Sequence, residues 1–212
     1  MMVGIFGAGL VNFYHGDTGQ IITIDNYSTA PYAATSDMYE PVSDDWPDYL
    51  ETVDRNNRVG HLAVAVPGSL MSWCHLEERY GRLGLDTVIY PAVTYAEKGF
   101  PASRYLVDII ADSADTLARF PATAEIFLSR GAPPRVGQFI VRADYAGTLR
   151  LVAKDGADAL YRGAIGDMVV ADMQANGGII EAKDLEDYSF HYRDPVKGTY
   201  RGYEIASVGP TS

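Results

Sequence analysis

Cysteine is nearly missing from this 212-residue chain. Its only one, Cys74, has no partner within the chain for a disulfide, and so gives no reading of redox compartment. Basic residues are also scarce, with Lys+Arg 17 against Asp+Glu 28 and a net charge of -11. Nucleic-acid phosphates need a basic face and the sequence offers none, which excludes that partner class and makes the acidic excess a solvated surface. No apolar run is long enough to span a bilayer. Met1, Met2 and Val3 open the chain without the basic and apolar segments of a signal peptide. Repeats and low-complexity linkers are absent too.

Familiar catalytic signatures are equally thin. Gly68-Ser69 lacks the second half of a G-x-S-x-G nucleophile elbow. His15, His61, His75 and His191 show no metal-ligand spacing, and Asp44, Asp45 and Asp48 lack the alternating oxygens and central glycine of a calcium loop. Adjacent helical residues point about a hundred degrees apart, so Cys74 and His75 read as a buried structural thiol beside a surface histidine. His61 is the best placed of the four histidines and reads as a satisfied core or near-core side chain. The cluster Gly4, Gly7, Gly9 runs into Asn12-Phe13-Tyr14 and a turn instead of a helix N-terminus, so a dinucleotide site fails and the glycines imply close approach of another backbone. No cofactor is called for.

What remains is ample for a core: 47% of residues are hydrophobic and 21% charged, and the length favours one compact domain. Residues 10–14 and 20–25 flank the turn formers 15–19 and predict an antiparallel hairpin. The polar stretch 36–58 predicts an ordered loop, with Trp46 beside Pro47 packing it down. The densest patterning lies in 57–101. Residues 62–66 read as a strand buried on both faces and ended by Pro67-Gly68. A helix over 69–80 has Leu70, Trp73, Cys74 and Leu76 inward, and Gly81 as a left-handed stop. Asp86 can cap a second helix with the stripe Val88, Ile89, Ala92, Val93 and Ala96, which Pro91 should force to begin late or bend. Ser103 caps a helix striped by Leu106, Ile109, Ile110, Ala114 and Leu117. Further helices are predicted over 124–129, 145–153 and 164–175, the last with Ile165, Met168, Val169 and Met173 inward. One helical turn follows over 183–188, then a strand over 200–208.

Several of these stretches, in order, resemble the large subunit of the γ-glutamyltransferase (γ-glutamyltranspeptidase) family: GIFGAG at 4–9, VPG at 66–68, RYGRL at 79–83, YPAVTYAEKGFP at 90–101, GADALYRG at 156–163, MQANGGI at 173–179, Asp184-Leu185 with Tyr188, and YRGYE at 200–204. The resemblance implies an α+β fold, part of the four-layer αββα sandwich of N-terminal-nucleophile hydrolases, with residues 1–212 a single incomplete domain inside the large subunit. It also places the strands 10–25 and 200–208 in one sheet. Its activity would be hydrolysis or transfer of the acyl group of an amide, through a threonine exposed when the precursor cuts itself.

That threonine would belong to a small subunit from the same precursor. Thr211 falls in what resembles a family loop ahead of the cleavage point, so the resemblance assigns no catalytic residue to this chain. It implies sequence ahead of Gly4 as well, which leaves the compartment unread. Family members grip the α-carboxylate of a γ-glutamyl group with an arginine, and at that place, aligned on Ala30-Pro31, stands Tyr27, between Asn26 and Ser28. A guanidinium offers two parallel charged hydrogen bonds where a phenol offers one neutral donor. Either γ-glutamyl amides such as glutathione are the substrates and another cation, Arg55 or Arg58, supplies the charge, or the protein resembles the acylase and amidohydrolase branches acting on glutaryl-cephalosporin-like or oxamate-like amides. A third reading is a non-catalytic scaffold, and Tyr27 itself reads equally well as a packing residue.

Overall fold

A computed structural model describes residues 4–46 and 50–210. Pro47, Asp48 and Thr211 therefore lie outside the described residues, as do the opening residues Met1, Met2 and Val3. The chain divides into two compact units, one of Met1–Arg82 with Ala157–Ser212 and the other of Leu83–Gly156.

In chain order the first unit begins with β1 (Gly9–His15) and β2 (Gln20–Asn26), paired antiparallel in register from Gly9↔Asn26 to His15↔Gln20. The hairpin is the one predicted. Two 3-10 turns follow, Val53–Arg55 and His61–Ala63, then helix α1 (Ser69–Tyr80). The second unit runs α2 (Leu85–Lys98), β3 (Phe100–Pro101), α3 (Arg104–Asp112), α4 (Ala114–Ala118), α5 (Pro121–Phe127), β4 (Phe139–Ile140) and α6 (Ala143–Asp155). The first unit then resumes with α7 (Asp158–Tyr161), α8 (Ala164–Ala175), α9 (Ala182–Glu186), β5 (His191–Arg193), β6 (Val196–Tyr200) and β7 (Tyr203–Ser207).

The first unit's main sheet has the order β1-β2-β5, which makes β2 central and explains why Ile22 to Asn26 are all buried. Side chains alternate across a strand, so its two faces carry different chemistry. Phe13, Ile22, Ile24 and Tyr192 share one face by register, and α1 lies on that side: Tyr80 packs its ring 4.7 Å from Phe13 and His75 accepts from or donates to the Tyr192 hydroxyl at 2.6 Å. The other face is a polar ladder. Thr23 donates to Asn12 Oδ1 at 2.6 Å, and Arg193 lays its Nε and Nη2 on Asp25 Oδ2 at 3.2 and 3.1 Å.

Several expectations need correction. Residues 62–66 form no buried strand: the run begins in a 3-10 turn, Val64 is exposed, and Val66 makes a single bridge to Thr29. The apolar run has no neighbouring strand long enough to ladder with. The strand expected over 200–208 is present as β7, but it pairs with β6 in a hairpin turned by Arg201 and Gly202 at φ 49 and 83 and lies in a separate two-stranded sheet, not in one sheet with residues 10–25. The third strand beside the first hairpin is β5, too short to show a period in sequence. Trp46 is 76% exposed, and Pro47 beside it lies outside the described residues. Gly4 and Gly9 face open space; the close approach is at Gly7, whose carbonyl accepts from the amides of Gly68 and Ser69.

Helix α1 has the predicted bounds and a different buried face. Ser69, Leu70 and Ser72 are inside, while Trp73 is largely exposed, and Gly81 ends the helix in extended backbone rather than left-handed. Burial of Ser72 costs little because its hydroxyl donates to the helix carbonyl of Ser69 at 3.0 Å. Met168 likewise points outward on α8, where Ile165 and Met173 are the buried residues.

The second unit is helical and its core is apolar. α2 and α6 pair through Val93, Ala96, Ala146 and Leu149, and a second cluster joins Ala102, Ile110, Leu128 and Ile140. α2 starts at Leu85 and runs through Pro91, so of the two expected effects, a late start or a bend, the late start does not occur; Pro91 is exposed. Gly84, not Asp86, occupies the capping position, with the Asp86 carboxylate in the first turn where the helix dipole favours it. Val88 and Ala92 are exposed, not inward. Ser103 caps α3 as predicted, accepting from Leu106 N at 3.2 Å, but the expected single helix breaks at Ser113 and Ile109 is exposed.

Candidate functional site

Tyr27 follows directly from the C-terminal end of β2, and its backbone is fixed on both sides. Its N–H donates to Asp25 Oδ1 at 3.1 Å, and its carbonyl accepts from the Tyr188 hydroxyl at 3.0 Å. Asp25 is itself held by Arg193 through its other oxygen. The Tyr27 side chain, by contrast, is 56% exposed. Ser28 beside it is half-buried, and Asn26 is enclosed, its Oδ1 without a hydrogen-bond partner among the described residues.

Beneath this segment lies a post of two tyrosines. Tyr188 stacks on Tyr161 with ring centroids 5.4 Å apart and planes at 14°, and the Tyr161 hydroxyl donates to the Pro67 carbonyl at 2.8 Å. Burial, and then the Asp25 charge, pushes the Tyr188 phenol up to about 12, and burial raises that of Tyr161 as well, so both remain proton donors at physiological pH. Gly68 passes so close that an added Cβ would fall 2.0 Å from the Tyr188 hydroxyl and 2.2 Å from the Asn26 carbonyl. That contact explains the glycine.

The segment beyond Tyr27 is tied to α9. Asp184, 5% exposed, accepts from Tyr32 N at 2.7 Å through Oδ1 and from Glu181 N at 2.8 Å through Oδ2. The Tyr32 hydroxyl donates to Asp187 at 3.2 Å, and that hydrogen bond and charge raise its pKa. Sequence reading missed Asp184, Tyr188, Tyr161 and Gly68 as parts of one arrangement. Asp184 three residues after Glu181 carried a capping pattern, but nothing in sequence tied it to Tyr32.

Arg58 pairs with Glu51 at 2.9 Å and Arg55 sits on the turn Val53–Arg55. His61 bonds through Nε2 to Asp172 at 2.9 Å, as a satisfied histidine does. Cys74 is half-buried, and burial followed by the Glu78 charge lifts its thiol to about 11, which leaves it a poor nucleophile. His75 is only half-buried and stacks on Phe190 besides its bond to Tyr192. Among the described residues no group of His, Cys, Asp and Glu could hold a metal ion, and no helix is long and apolar enough to cross a membrane.

The family model described as Gamma-glutamyltranspeptidase matches residues 1–212. The chain belongs to that family. Among curated relatives, the gamma-glutamyltranspeptidase-family Acylase ACY 1 proenzyme of Pseudomonas sp. is 46% identical over 212 residues, covering 100% of this chain and 38% of its own length. The Glutathione hydrolase proenzyme of Bacillus subtilis is 34% identical over the same length, with 35% of it covered. The chain thus spans little more than a third of these relatives. Its α+β fold is that of the gamma-glutamyltranspeptidase structures: the Helicobacter pylori enzyme superposes with a TM-score of 0.88 at 29% identity over 98% of this chain and 58% of the other. The N-terminal-nucleophile hydrolase fold implied by the sequence is therefore the observed one.

Proposed function

We propose that this chain is part of the large subunit of an N-terminal-nucleophile enzyme that hydrolyses or transfers the acyl group of an amide, and that its preference lies with acylase-type substrates over γ-glutamyl amides. The nucleophilic threonine, in this reading, comes from a small subunit cut from the same precursor; the proenzyme names of both curated relatives support that. Tyr27 carries the specificity. It stands where the family's carboxylate-gripping arginine belongs, on a backbone fixed at both its N–H and its carbonyl, with its side chain exposed to meet a ligand. Ser28 is the second substrate-facing candidate. Asn26 is assigned to the same site through its backbone, whose carbonyl abuts Gly68. The higher identity to an acylase than to a glutathione hydrolase points the same way.

A phenol in place of a bidentate guanidinium forgoes about 2 kcal/mol, roughly thirtyfold, toward an α-carboxylate. In the complete, processed enzyme, Tyr27→Arg should lower KM for a γ-glutamyl anilide by about that factor and leave KM for a 4-aminobutyryl anilide, which keeps the amine and lacks the α-carboxylate, within about twofold. Equal effects on both anilides would remove Tyr27 from substrate reading. Strong wild-type preference for the γ-glutamyl substrate would do the same and turn attention to Arg55 or Arg58.

A further inference from the structure

Tyr27 can read an acyl group only if its backbone presents it in one direction, and the groups that set that direction lie far away in sequence. Its N–H is taken by Asp25 and its carbonyl by Tyr188, 161 positions on. Five residues later the chain is caught again, where Asp184 accepts the N–H of Tyr32, 152 positions away. Both distant groups come from one short piece of structure, Asp184 within α9 and Tyr188 just after its end.

We infer that Asp184 and Tyr188 are positioning residues, a two-point clamp that holds the segment 27–32 and so sets how Tyr27 meets the substrate. The inference rests on the reading of Tyr27 given above.

Neither half of the clamp can drift. Both Asp184 oxygens are engaged, Oδ1 by Tyr32 N and Oδ2 by Glu181 N, and the carboxylate is buried. The Tyr188 ring is backed by the stacked Tyr161, which is pinned to Pro67. Among the described residues the Tyr188 hydroxyl donates to the Tyr27 carbonyl. A rigid, doubly bonded backbone under a solvent-facing side chain is the arrangement that a specificity residue requires, since displacement of about 1 Å is enough to lose a directional hydrogen bond. A reader with a single neutral donor has no second bond to compensate.

The test uses the complete, processed enzyme and a glutaryl anilide, whose terminal carboxylate is the acceptor for the Tyr27 phenol, with variants Tyr27→Phe, Tyr188→Phe and the pair combined. Tyr188→Phe keeps the ring stack and removes only the donor. It should raise KM about fivefold, the equivalent of one ordinary hydrogen bond, with kcat within about twofold. The double variant should show no further rise beyond Tyr27→Phe, because both changes act through the same contact. Asp184→Asn, which keeps an acceptor oxygen, should raise KM in the same sense and serves if Tyr188→Phe folds poorly. Loss of active enzyme through instability lowers kcat and leaves KM alone, so a merely structural role is distinguishable. If Tyr27→Phe raises KM and neither clamp variant does, the clamp is refuted and the reading of Tyr27 stands. If Tyr27→Phe leaves KM unchanged, the reading of Tyr27 fails and takes the clamp with it.

Discussion

The two units bury different things. In the unit made of Met1–Arg82 and Ala157–Ser212, the interior includes Thr23, Asp25, Asn26, Thr52, Ser69, Ser72 and Asp184. In Leu83–Gly156, no wholly polar or charged residue appears among the described buried ones, and the core is two apolar clusters between helices and a two-residue strand pair. A buried polar group costs free energy unless it is paired, and pairing is directional. The first interior is therefore specified by geometry and intolerant of displacement; the second is specified by volume and tolerant of conservative change. Every residue proposed here for substrate reading or positioning lies in the first.

The sharpest way to break the contrast is one substitution type placed in each unit. Gly68→Ala puts a methyl within 2.2 Å of a backbone carbonyl that cannot yield. It should destabilise by about 3 kcal/mol or more, seen as a collapse in soluble yield or a large drop in the melting temperature of the full protein. The opposite sign is expected for Gly147→Ala, exposed within α6 with nothing within 4 Å of the new Cβ. Helix propensity alone should add about 0.5 to 1 kcal/mol, a rise of a few degrees in melting temperature. Similar effects at the two glycines would mean that Gly68 is not enclosed as described.

A smaller effect sharpens the picture inside the first unit. The Cys74 thiol is raised to about 11 in the folded protein by burial and the Glu78 charge, above the ordinary value of about 8.5 that the unfolded chain would show. The native state then keeps a proton that the unfolded state loses, so this group's contribution to stability is complete below about pH 8.5 and declines as pH rises toward 11. At pH 8 alkylation by iodoacetamide should be markedly slower in native protein than in denatured protein; equal rates would show the thiol to be open.

Much of the fold was legible locally. The hairpin of β1 and β2, the bounds of α1 and α8, and the Ser103 cap all follow from periods and capping residues within a dozen positions. The run of family-like stretches located the family. What failed locally were the assignments that depend on neighbours. Residues 62–66 have strand composition and, among the described residues, only a single bridge to Thr29; Trp73 and Met168 have core chemistry and face outward; β5 has three residues, pairs along β2, and also joins Arg193 to Asp25.

Sequence alone determined the elements that a helix or a hairpin builds from its own residues, because their hydrogen bonds close within a few positions. The tertiary structure decided which faces are buried and which distant groups meet. That Tyr188 would hold Tyr27, that Asp184 would hold Tyr32, and that Gly68 must have no side chain are consequences of bringing residues more than 40 positions apart within hydrogen-bond or van der Waals reach. Contacts of that kind have no period and no spacing, and only the folded chain displays them.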